Sequence, residues 1–329
     1  MKEIIPIFFT FDRYYVVAAE VAIYSLLVHA STAYQYKLYV LHTDIPQASI
    51  RALQQLIGKF ANASIEFINT ASFDDEKAIL KRKAHFSKEI YYKLIAAELF
   101  PQYDRIICSD VDVVFTGDVS PSYFMYPDET FCFAGVGQIL ESGRMKSYAG
   151  NFNSEEQEIL KKEIAAGYML MNLKVIRETG MQEKLTSFYK ANYARLCLPE
   201  QDTIILCCRD LIRYLPLAYV VCNSYYPALK SKPRFYKEND GFPKDEQQAM
   251  AVFTQALQNP IQLHYVGESK PWNGFNVPKQ HIWFQYLRQS GATKEYIKMM
   301  PVFWIRRLRK YNISRFCKKI SRKLSLSKN

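Results

Sequence analysis

Apolar runs and segments of helical spacing alternate over the first 115 residues of the chain. Runs that predict β-strands lie at residues 4–11, 36–42, 64–68 and 105–109. Segments with apolar residues at helical spacing lie at residues 15–30, 46–60 and 88–100. Strands that alternate with helices in this way predict an α/β fold with a doubly wound, mostly parallel sheet. Such sheets bind ligands beyond the carboxyl ends of their strands, so functional side chains are expected there.

The pattern is more mixed after residue 115. Further strands are predicted at residues 130–136, 167–173 and 211–216, and a further helix at 185–195. Residues 228–248 are polar and rich in charged side chains, which indicates an excursion from the body or a lid. The sequence shows no internal repeat, and its length fits one large α/β body with additions.

Positive charge is concentrated at the end of the chain. Residues 301–329 hold ten Lys or Arg and no Asp or Glu, and taking these ten from the net charge of +11 leaves the rest at +1. Apolar residues among them fall on two helical stripes, Trp304, Leu308 and Tyr311 on one and Phe316, Ile320 and Leu324 on the other. Basic, aromatic and amphipathic character together predict a helix on an anionic membrane surface. A solvated or nucleic-acid-binding tail is the alternative, and the regular stripes favour the membrane, with no nucleic-acid partner.

Cysteine usage and the lack of targeting patterns indicate a cytoplasmic protein. The seven cysteines form no CxxC pair and no zinc spacing, which fits reduced thiols. The apolar stretch 16–28 is too short for a transmembrane helix and contains Glu20. The first residues lack the basic segment of a signal peptide, and Asp12 interrupts the apolar run.

Two aspartates, Asp110 and Asp112, stand at the end of the predicted strand 105–109. Buried carboxylates are costly unless they are paired or bind a metal. An Asp-x-Asp at the end of a buried strand therefore predicts a divalent cation at the ligand-binding edge of the sheet. In many sugar transferases such a metal holds the diphosphate of a nucleotide-sugar. Two solvated aspartates in a turn are the alternative.

Three later segments add candidate ligand contacts. In residues 164–173, two alanines and Gly167 precede an apolar strand. Because these residues have small side chains or none, their backbone can approach a ligand closely, or the strand can simply pack closely against its neighbours. Residues 199–202, Pro-Glu-Gln-Asp, begin a helix and serve either its free amides or sugar hydroxyls. Further on, His264 is a good Mn²⁺ ligand, and a Gly turn followed by Lys270 offers amides and a cation to a phosphate.

Taken together, these segments resemble glycosyltransferase family 8, which includes bacterial lipopolysaccharide glucosyl- and galactosyltransferases and glycogenin. The matching segments lie in order at residues 5–10, 110–112, 166–167 with 172–173, 200–202, and 264–267 with 270–272. The last of them, His-Tyr-x-Gly-x-x-Lys-Pro-Trp, is the most specific. The resemblance implies a GT-A fold over residues 1–290, with a second small sheet, followed by a helical basic tail over 291–329.

The same resemblance implies a retaining hexosyltransferase that moves glucose or galactose from a UDP-hexose donor with Mn²⁺ or Mg²⁺. Asp110, Asp112 and His264 would bind the metal, and Glu200 and Gln201 would face the donor sugar as catalytic candidates. The implied donor-binding residues are Thr10, Phe11, Lys93, Asp110, Val111, Ala166, Gly167, Gly267 and Lys270. The acceptor would be a saccharide or glycolipid, such as lipopolysaccharide, met at the inner face of the cell membrane.

Three positions depart from the family pattern. Phe11 stands where an Asp often reads the uracil, Ala165 where an Asn commonly precedes Ala-Gly, and Gly137 near where some members place a sugar-binding Asp. These departures leave open which sugar, and which base, the site recognises.

Two other functions fit parts of the sequence. A nucleotidyltransferase also combines a doubly wound sheet with metal-binding aspartates, but residues 9–13 lack the Gly-rich, basic loop that such enzymes carry. A non-catalytic, membrane-associated protein that binds nucleotide-sugars would tolerate the departures. No GxGxxG and no GxxxxGK[ST] occurs, which argues against dinucleotide and P-loop sites.

Overall fold

Ten strands in the described part of the chain form two sheets. The computed structural model describes residues 2–70, 88–141 and 144–310. The strands are Ile4–Thr10 (β1), Gln35–His42 (β2), Ala63–Asn69 (β3), Arg105–Ser109 (β4), Val113–Phe115 (β5), Phe133–Gly137 (β6), Ile164–Asn172 (β7), Ile212–Tyr214 (β8), Val221–Cys222 (β9) and Gln262–His264 (β10). The larger sheet has the order β3-β2-β1-β4-β7-β6-β8 and the smaller one β5-β10-β9. The predicted α/β class, with its second small sheet, is confirmed.

Helices cover both faces of the larger sheet. The α-helices are Val16–His29 (α1), Gln47–Ile57 (α2), Ala96–Leu99 (α3), Ser120–Tyr123 (α4), Arg144–Tyr148 (α5), Ser154–Leu160 (α6), Leu173–Glu178 (α7), Met181–Asn192 (α8), Pro199–Cys208 (α9), Tyr225–Ala228 (α10), Glu246–Gln258 (α11), Gln280–Ser290 (α12) and Thr293–Lys310 (α13). Short 3₁₀ segments lie at Arg13–Tyr15, Lys88–Ile95, Arg209–Leu211, Leu217–Tyr219 and Leu229–Ser231.

Strand β1 lies at the centre of the parallel half of the sheet, between β2 and β4. Ile7 and Phe9 pack into the core on one face and Phe8 into the core on the other. Each is fully buried, which stabilises the fold by about 1.5–3 kcal/mol per side chain. Strand β7 runs antiparallel to β4, so the parallel part of the sheet ends at β4, the strand that Asp110 directly follows.

Strand β7 begins and ends earlier than the predicted span 167–173. It starts at Ile164 and pairs with β6, which itself begins at Phe133. It ends at Asn172, whose side chain accepts the backbone N–H of Val175 at 3.1 Å and so caps helix α7. A local cap, which apolar patterning does not register, sets this boundary.

The segment predicted as a helix at 88–100 is mostly a 3₁₀-helix. It has 3₁₀ geometry over Lys88–Ile95 and α-geometry only over Ala96–Leu99. The first part is rich in Ile and Tyr, which are weaker α-helix formers than Ala or Leu.

The polar segment 228–248 is anchored to the body. Its Phe235 pairs with Leu140 in an isolated β-bridge and packs against Phe242 and Phe253, with ring centroids 5.4 and 5.6 Å away. Two buried or half-buried aromatic rings therefore hold down a segment whose average composition is polar.

Helix α13 packs against the body through Tyr296 and Phe303. Phe303 is 6% exposed, and its ring lies 6.4 Å from that of Trp272. Tyr296 contacts Trp283 with ring centroids 5.8 Å apart. The division of the chain at residue 290 stays a prediction.

The predicted amphipathic tail, residues 291–329, lies partly outside the described residues, which end at 310. Of its two stripes, Trp304 and Leu308 lie within helix α13, and the ring of Trp304 lies 4.8 Å from that of Phe275. No helix in the described ranges combines the length and apolar character needed to cross a membrane.

Candidate metal and donor site

Three potential metal ligands converge at the edge of the larger sheet. Asp110 and Asp112 lie in the turn between β4 and β5, and His264 ends β10. The antiparallel register of β10 and β5 sets His264 opposite Val113, directly beside both aspartates. His264 Nε2 lies 3.3 Å from Asp112 Oδ1 and 3.8 Å from Asp110 Oδ2. One ligand atom from each residue lies within 4.8 Å of the others.

Two lysines take the remaining oxygen of each aspartate. Lys93 Nζ donates to Asp110 Oδ1 at 2.6 Å, and Lys270 Nζ donates to Asp112 Oδ2 at 2.6 Å. This leaves Asp110 Oδ2, Asp112 Oδ1 and His264 Nε2 facing one another. Two carboxylate oxygens and an imidazole nitrogen suit Mn²⁺, so the residues present fit a divalent cation.

The same lysines control the charge of the site. Burial by itself would raise the pKa of Asp112, but the neighbouring Lys270 and His264 hold that pKa well below its ordinary value. Burial would lower the pKa of Lys93, yet Asp110 leads the nearby groups that keep it above its ordinary value. Asp112 is therefore an anion and Lys93 a cation across the physiological pH range.

Lys93 lies beneath the site and is almost fully buried. Its ammonium also donates to the carbonyl of Ala166 at 3.0 Å and lies 4.0 Å from Glu200 Oε1. A buried cation needs such partners. In this structure Lys93 therefore orients Asp110 and Ala166.

Gly167 makes room for the histidine. A Cβ on Gly167 would come within 2.4 Å of His264 Cε1, closer than any side chain allows. The space that the sequence assigned to a ligand beside the Gly167 backbone is thus partly filled by the imidazole. The glycine permits His264, a candidate metal ligand, to approach strand β7.

A cavity opens beside the three ligands, with an empty volume of about 540 Å³ that includes space open to solvent. Its wall includes Asp110, Ala166, Gly167, Glu200, Gln201 and His264. Ala165 and Gly137 also line it, so two of the departures from the family pattern lie at the same cavity, although the side chain of Asn239 fills the space beside Gly137. Six of the predicted site residues therefore meet around one space.

The polar residues at the start of helix α9 have two different roles. Glu200 and Gln201 line the cavity, and Asp202 makes local hydrogen bonds to the backbone. Glu200 Oε2 is buried without a hydrogen-bond partner among the described residues, and burial raises the pKa of this carboxyl although Lys93 opposes it. Gln201 Nε2 donates to the carbonyl of Ile164 at 3.0 Å. Asp202 instead accepts the backbone N–H of Leu198 at 2.9 Å, which is the structural alternative considered for this segment.

Four predicted donor contacts lie elsewhere. Thr10 ends β1 and pairs with Leu41 of β2. Phe11 and Val111 are 3% and 4% exposed and pack in the hydrophobic core. Gly267 has φ of +83° in the turn before Lys270, a conformation that favours glycine. Their contact with a donor stays a prediction.

The sequence did not reveal Asn223 as a site residue. Its backbone N–H donates to the carbonyl of His264 at 2.9 Å, and its side-chain oxygen accepts the N–H of Val266 at 3.0 Å. Asn223 thereby fixes the turn after the histidine. A lone Asn after the two-residue strand β9 carries no motif by which the sequence could reveal it.

The chain matches the glycosyl transferase family 8 domain over residues 6–275. The chain belongs to this family. The resemblance inferred from the Asp-x-Asp and His-Tyr-x-Gly segments is confirmed, and the nucleotidyltransferase alternative loses its support.

Two curated family relatives are distant. Lipopolysaccharide 1,2-glucosyltransferase of Escherichia coli K12 is 24% identical over 211 residues, which cover 64% of this chain and 56% of that protein. Glycosyltransferase GlyE of Streptococcus pneumoniae serotype 4 is 23% identical over 292 residues, covering 84% of this chain and 59% of that protein. The chain thus spans little more than half the length of these relatives.

Solved structures share the fold. The bifunctional glycosyltransferase WbbM superposes with a TM-score of 0.69 at 22% identity, covering 91% of this chain and 52% of WbbM. The galactosyltransferase LgtC, solved with donor and acceptor sugar analogues, gives a TM-score of 0.64 at 17% identity, covering 88% of this chain and 96% of LgtC. At this identity the likeness shows the fold alone, and it confirms the predicted GT-A type.

Proposed function

We propose that the protein transfers a hexose from a UDP-sugar to a saccharide acceptor, with a divalent cation on Asp110, Asp112 and His264. The observation that carries the proposal is the division of the aspartate oxygens. Lys93 and Lys270 each occupy one oxygen, and the remaining two face His264 Nε2 beside an open cavity. Family membership supports the same chemistry.

The site offers positive charge where the leaving group would lie. A bound Mn²⁺ or Mg²⁺ would offset negative charge on the diphosphate as the bond to the sugar breaks. Lys270 has three N–H donors, of which Asp112 and the carbonyl of Tyr265 take two. The third lets Lys270 bind a diphosphate oxygen without leaving the site. Thr10, Phe11, Val111 and Gly267 remain proposed donor contacts.

Glu200 and Gln201 would hold the transferred sugar. Both line the cavity, and Glu200 keeps one buried oxygen without a partner among the described residues, which a sugar hydroxyl would satisfy. The amide of Gln201 is a poor nucleophile, which argues against a covalent sugar on that residue. We therefore infer front-face attack: the acceptor oxygen bonds to the anomeric carbon, the bond to UDP breaks, and the leaving phosphate oxygen takes the hydroxyl proton.

Lipopolysaccharide or another surface glycan is the proposed acceptor class, supported by the E. coli relative, a lipopolysaccharide 1,2-glucosyltransferase. An anionic membrane surface is the proposed partner of the basic tail, which would place the protein in the cytoplasm, peripheral to the inner face of the membrane. Exposed apolar side chains support this contact: Phe275 is 77%, Ile297 58% and Ile305 49% exposed, on or beside helix α13.

Asp112→Asn tests the proposed function. The substitution keeps the side-chain volume and removes one anionic ligand, so Mn²⁺-dependent turnover of UDP-glucose and UDP-galactose should fall at least 100-fold while the protein stays folded. Product UDP is measured with and without Mn²⁺. Asp210→Asn, at an exposed carboxylate after helix α9, is the matched control and should keep wild-type turnover. Wild-type turnover by Asp112→Asn would overturn the metal assignment.

A further inference from the structure

Gln262 is a fully buried polar residue beneath the candidate metal centre. It lies on β10 two residues before His264, so both side chains are on the same face of the strand. Leu263 between them points into the opposite core. The face of β10 that carries the metal ligand thus also carries an amide.

The amide joins the three chain segments that build the site. Gln262 Nε2 donates to Ser109 Oγ at 3.1 Å and lies 3.4 Å from the carbonyl oxygen of Gly167. Ser109 Oγ in turn donates to the carbonyl of Asp110 at 2.9 Å, and the N–H of Asp110 donates to the carbonyl of Gly167 at 3.1 Å. Strands β10, β4 and β7 are therefore tied together where their ligand-bearing residues meet.

Strand β10 holds Gly167 with two side chains. Gln262 bonds its carbonyl from one side, and the His264 ring fills the space of its missing Cβ from the other. The position of the imidazole relative to Asp110 thus depends on how closely strand β10 packs against Gly167. The amide of Gln262 fixes the distance between β10 and Gly167.

The arrangement works against stability. Gln262 Oε1 is buried and has no hydrogen-bond partner in the part of the chain that the structure describes. A buried acceptor without a partner loses its hydration with nothing in return. An apolar side chain of similar size would avoid this cost, and residues that oppose stability are commonly those that serve function.

We propose that Gln262 is a positioning residue that sets His264 against Asp110 and so determines the affinity for the divalent cation. It acts through Ser109 and the Gly167 carbonyl. The inference rests on the proposed function, because it assigns a role toward the proposed metal. Groups that orient metal ligands in this way typically change metal affinity about 10- to 100-fold when they are removed.

The test compares Gln262→Met, Ser109→Ala and the double variant, each as the full chain without nucleotide. Mn²⁺ affinity is measured from the free-Mn²⁺ electron paramagnetic resonance signal, and stability from urea unfolding. Gln262→Met should bind Mn²⁺ about 10- to 100-fold more weakly than the wild type. The double variant should bind no more weakly than the weaker single variant, because the two residues act as one unit. It should also lose less stability than the two single variants added together, because the donor Gln262 and its acceptor Ser109 leave together.

Ser290→Ala is the control for loss of a buried hydroxyl. Ser290 Oγ donates to Leu287 and accepts from Ala292, in and after helix α12, so Mn²⁺ affinity should stay at the wild-type value. Ser109→Ala carries the test if Gln262→Met does not fold.

Three results would overturn the proposal, and they distinguish its failure from that of the proposed function. Unchanged Mn²⁺ affinity in Gln262→Met and Ser109→Ala, with wild-type turnover of UDP-sugars intact, removes the positioning role and leaves the function standing. A wild type that binds no Mn²⁺ removes the metal centre and this inference with it. Weaker binding that tracks unfolding across all variants, Ser290→Ala included, reduces Gln262 to a structural residue.

Discussion

At the scale of single residues, the site depends on how Lys93 and Lys270 share the two aspartates. Each lysine neutralises one carboxylate and leaves its second oxygen available. Without a cation beside them, two carboxylates this close would repel each other and favour protonation. Lys270 thus helps to keep Asp112 ionised, and the two lysines hold both aspartates in place.

Lys270→Ala should weaken binding of UDP and of UDP-sugars together, by about 10- to 100-fold, the effect of losing a hydrogen bond to a charged group. Isothermal titration with Mn²⁺ present measures it. Lys298→Ala, which breaks an exposed ion pair with Glu295, should leave UDP affinity unchanged. Lost turnover at unchanged UDP affinity would mean that Lys270 does not bind the ground-state phosphates.

Gly167→Ala should displace His264, because the new Cβ would fall 2.4 Å from its ring. We expect Mn²⁺ affinity and turnover to fall together, on the order of 10-fold or more. Gly150→Ala is the matched control, since nothing lies within 4 Å of a Cβ at that exposed position. If Gly167→Ala binds Mn²⁺ as tightly as the wild type, the imidazole is not a ligand.

At the scale of elements, helix α1 is buried on nearly every side, as its almost continuous apolar sequence requires. It carries one carboxyl, Glu20, which is 5% exposed and whose Oε2 has no partner among the described residues. Burial, with Glu295 as a smaller cause, raises the pKa of Glu20 from 4.5 to about 7. Between these two pH values the folded protein binds a proton that the unfolded chain has released.

The free energy of unfolding should therefore fall as the pH rises from about 4.5 to about 7, by on the order of 3 kcal/mol from this group alone. In Glu20→Gln that contribution should vanish. Urea unfolding at pH 5 and pH 8 measures the difference in the free energy of unfolding between Glu20→Gln and the wild type. This difference should be larger at pH 8. An equal difference at both values would show that Glu20 ionises normally in the fold.

At the scale of the whole molecule, charge and exposed apolar surface coincide at the end of the chain. Phe275 and Trp304 lie against each other near the start of the basic segment, and Phe275 is 77% exposed. Aromatic side chains beside positive charge are typical of surfaces that contact anionic lipid.

The full chain should bind phosphatidylglycerol vesicles at low salt in a sedimentation assay. Replacing Lys318, Lys319 and Lys323 with Gln should weaken binding by roughly 1 kcal/mol per residue. Replacing the exposed Lys230, Lys232 and Lys237 with Gln changes the net charge equally and should have little effect. Equal losses in the two triple variants would reduce the contact to net charge, and undiminished binding to zwitterionic vesicles would remove its electrostatic part.

Motifs of a few neighbouring residues predicted those parts of the site that lie within a single segment of the chain. Asp110 and Asp112 follow an apolar strand, and His264 and Lys270 share one motif, so their chemistry is visible locally. The sequence missed Asn223, Ser109 and Gln262 as site residues. Each is a polar residue in or beside a strand, and its partner is distant in sequence.

The sequence by itself determined the α/β class, the family and the order of the ligand-bearing segments, because apolar periodicity and short motifs record local geometry. The tertiary structure decided which groups meet. It turned Lys93 toward Asp110, set the His264 ring in the space left by Gly167, and buried Phe11 and Val111 in the core. The contact of His264 with Gly167 depends on strand register across more than 90 residues of intervening chain, and a linear pattern does not encode that register.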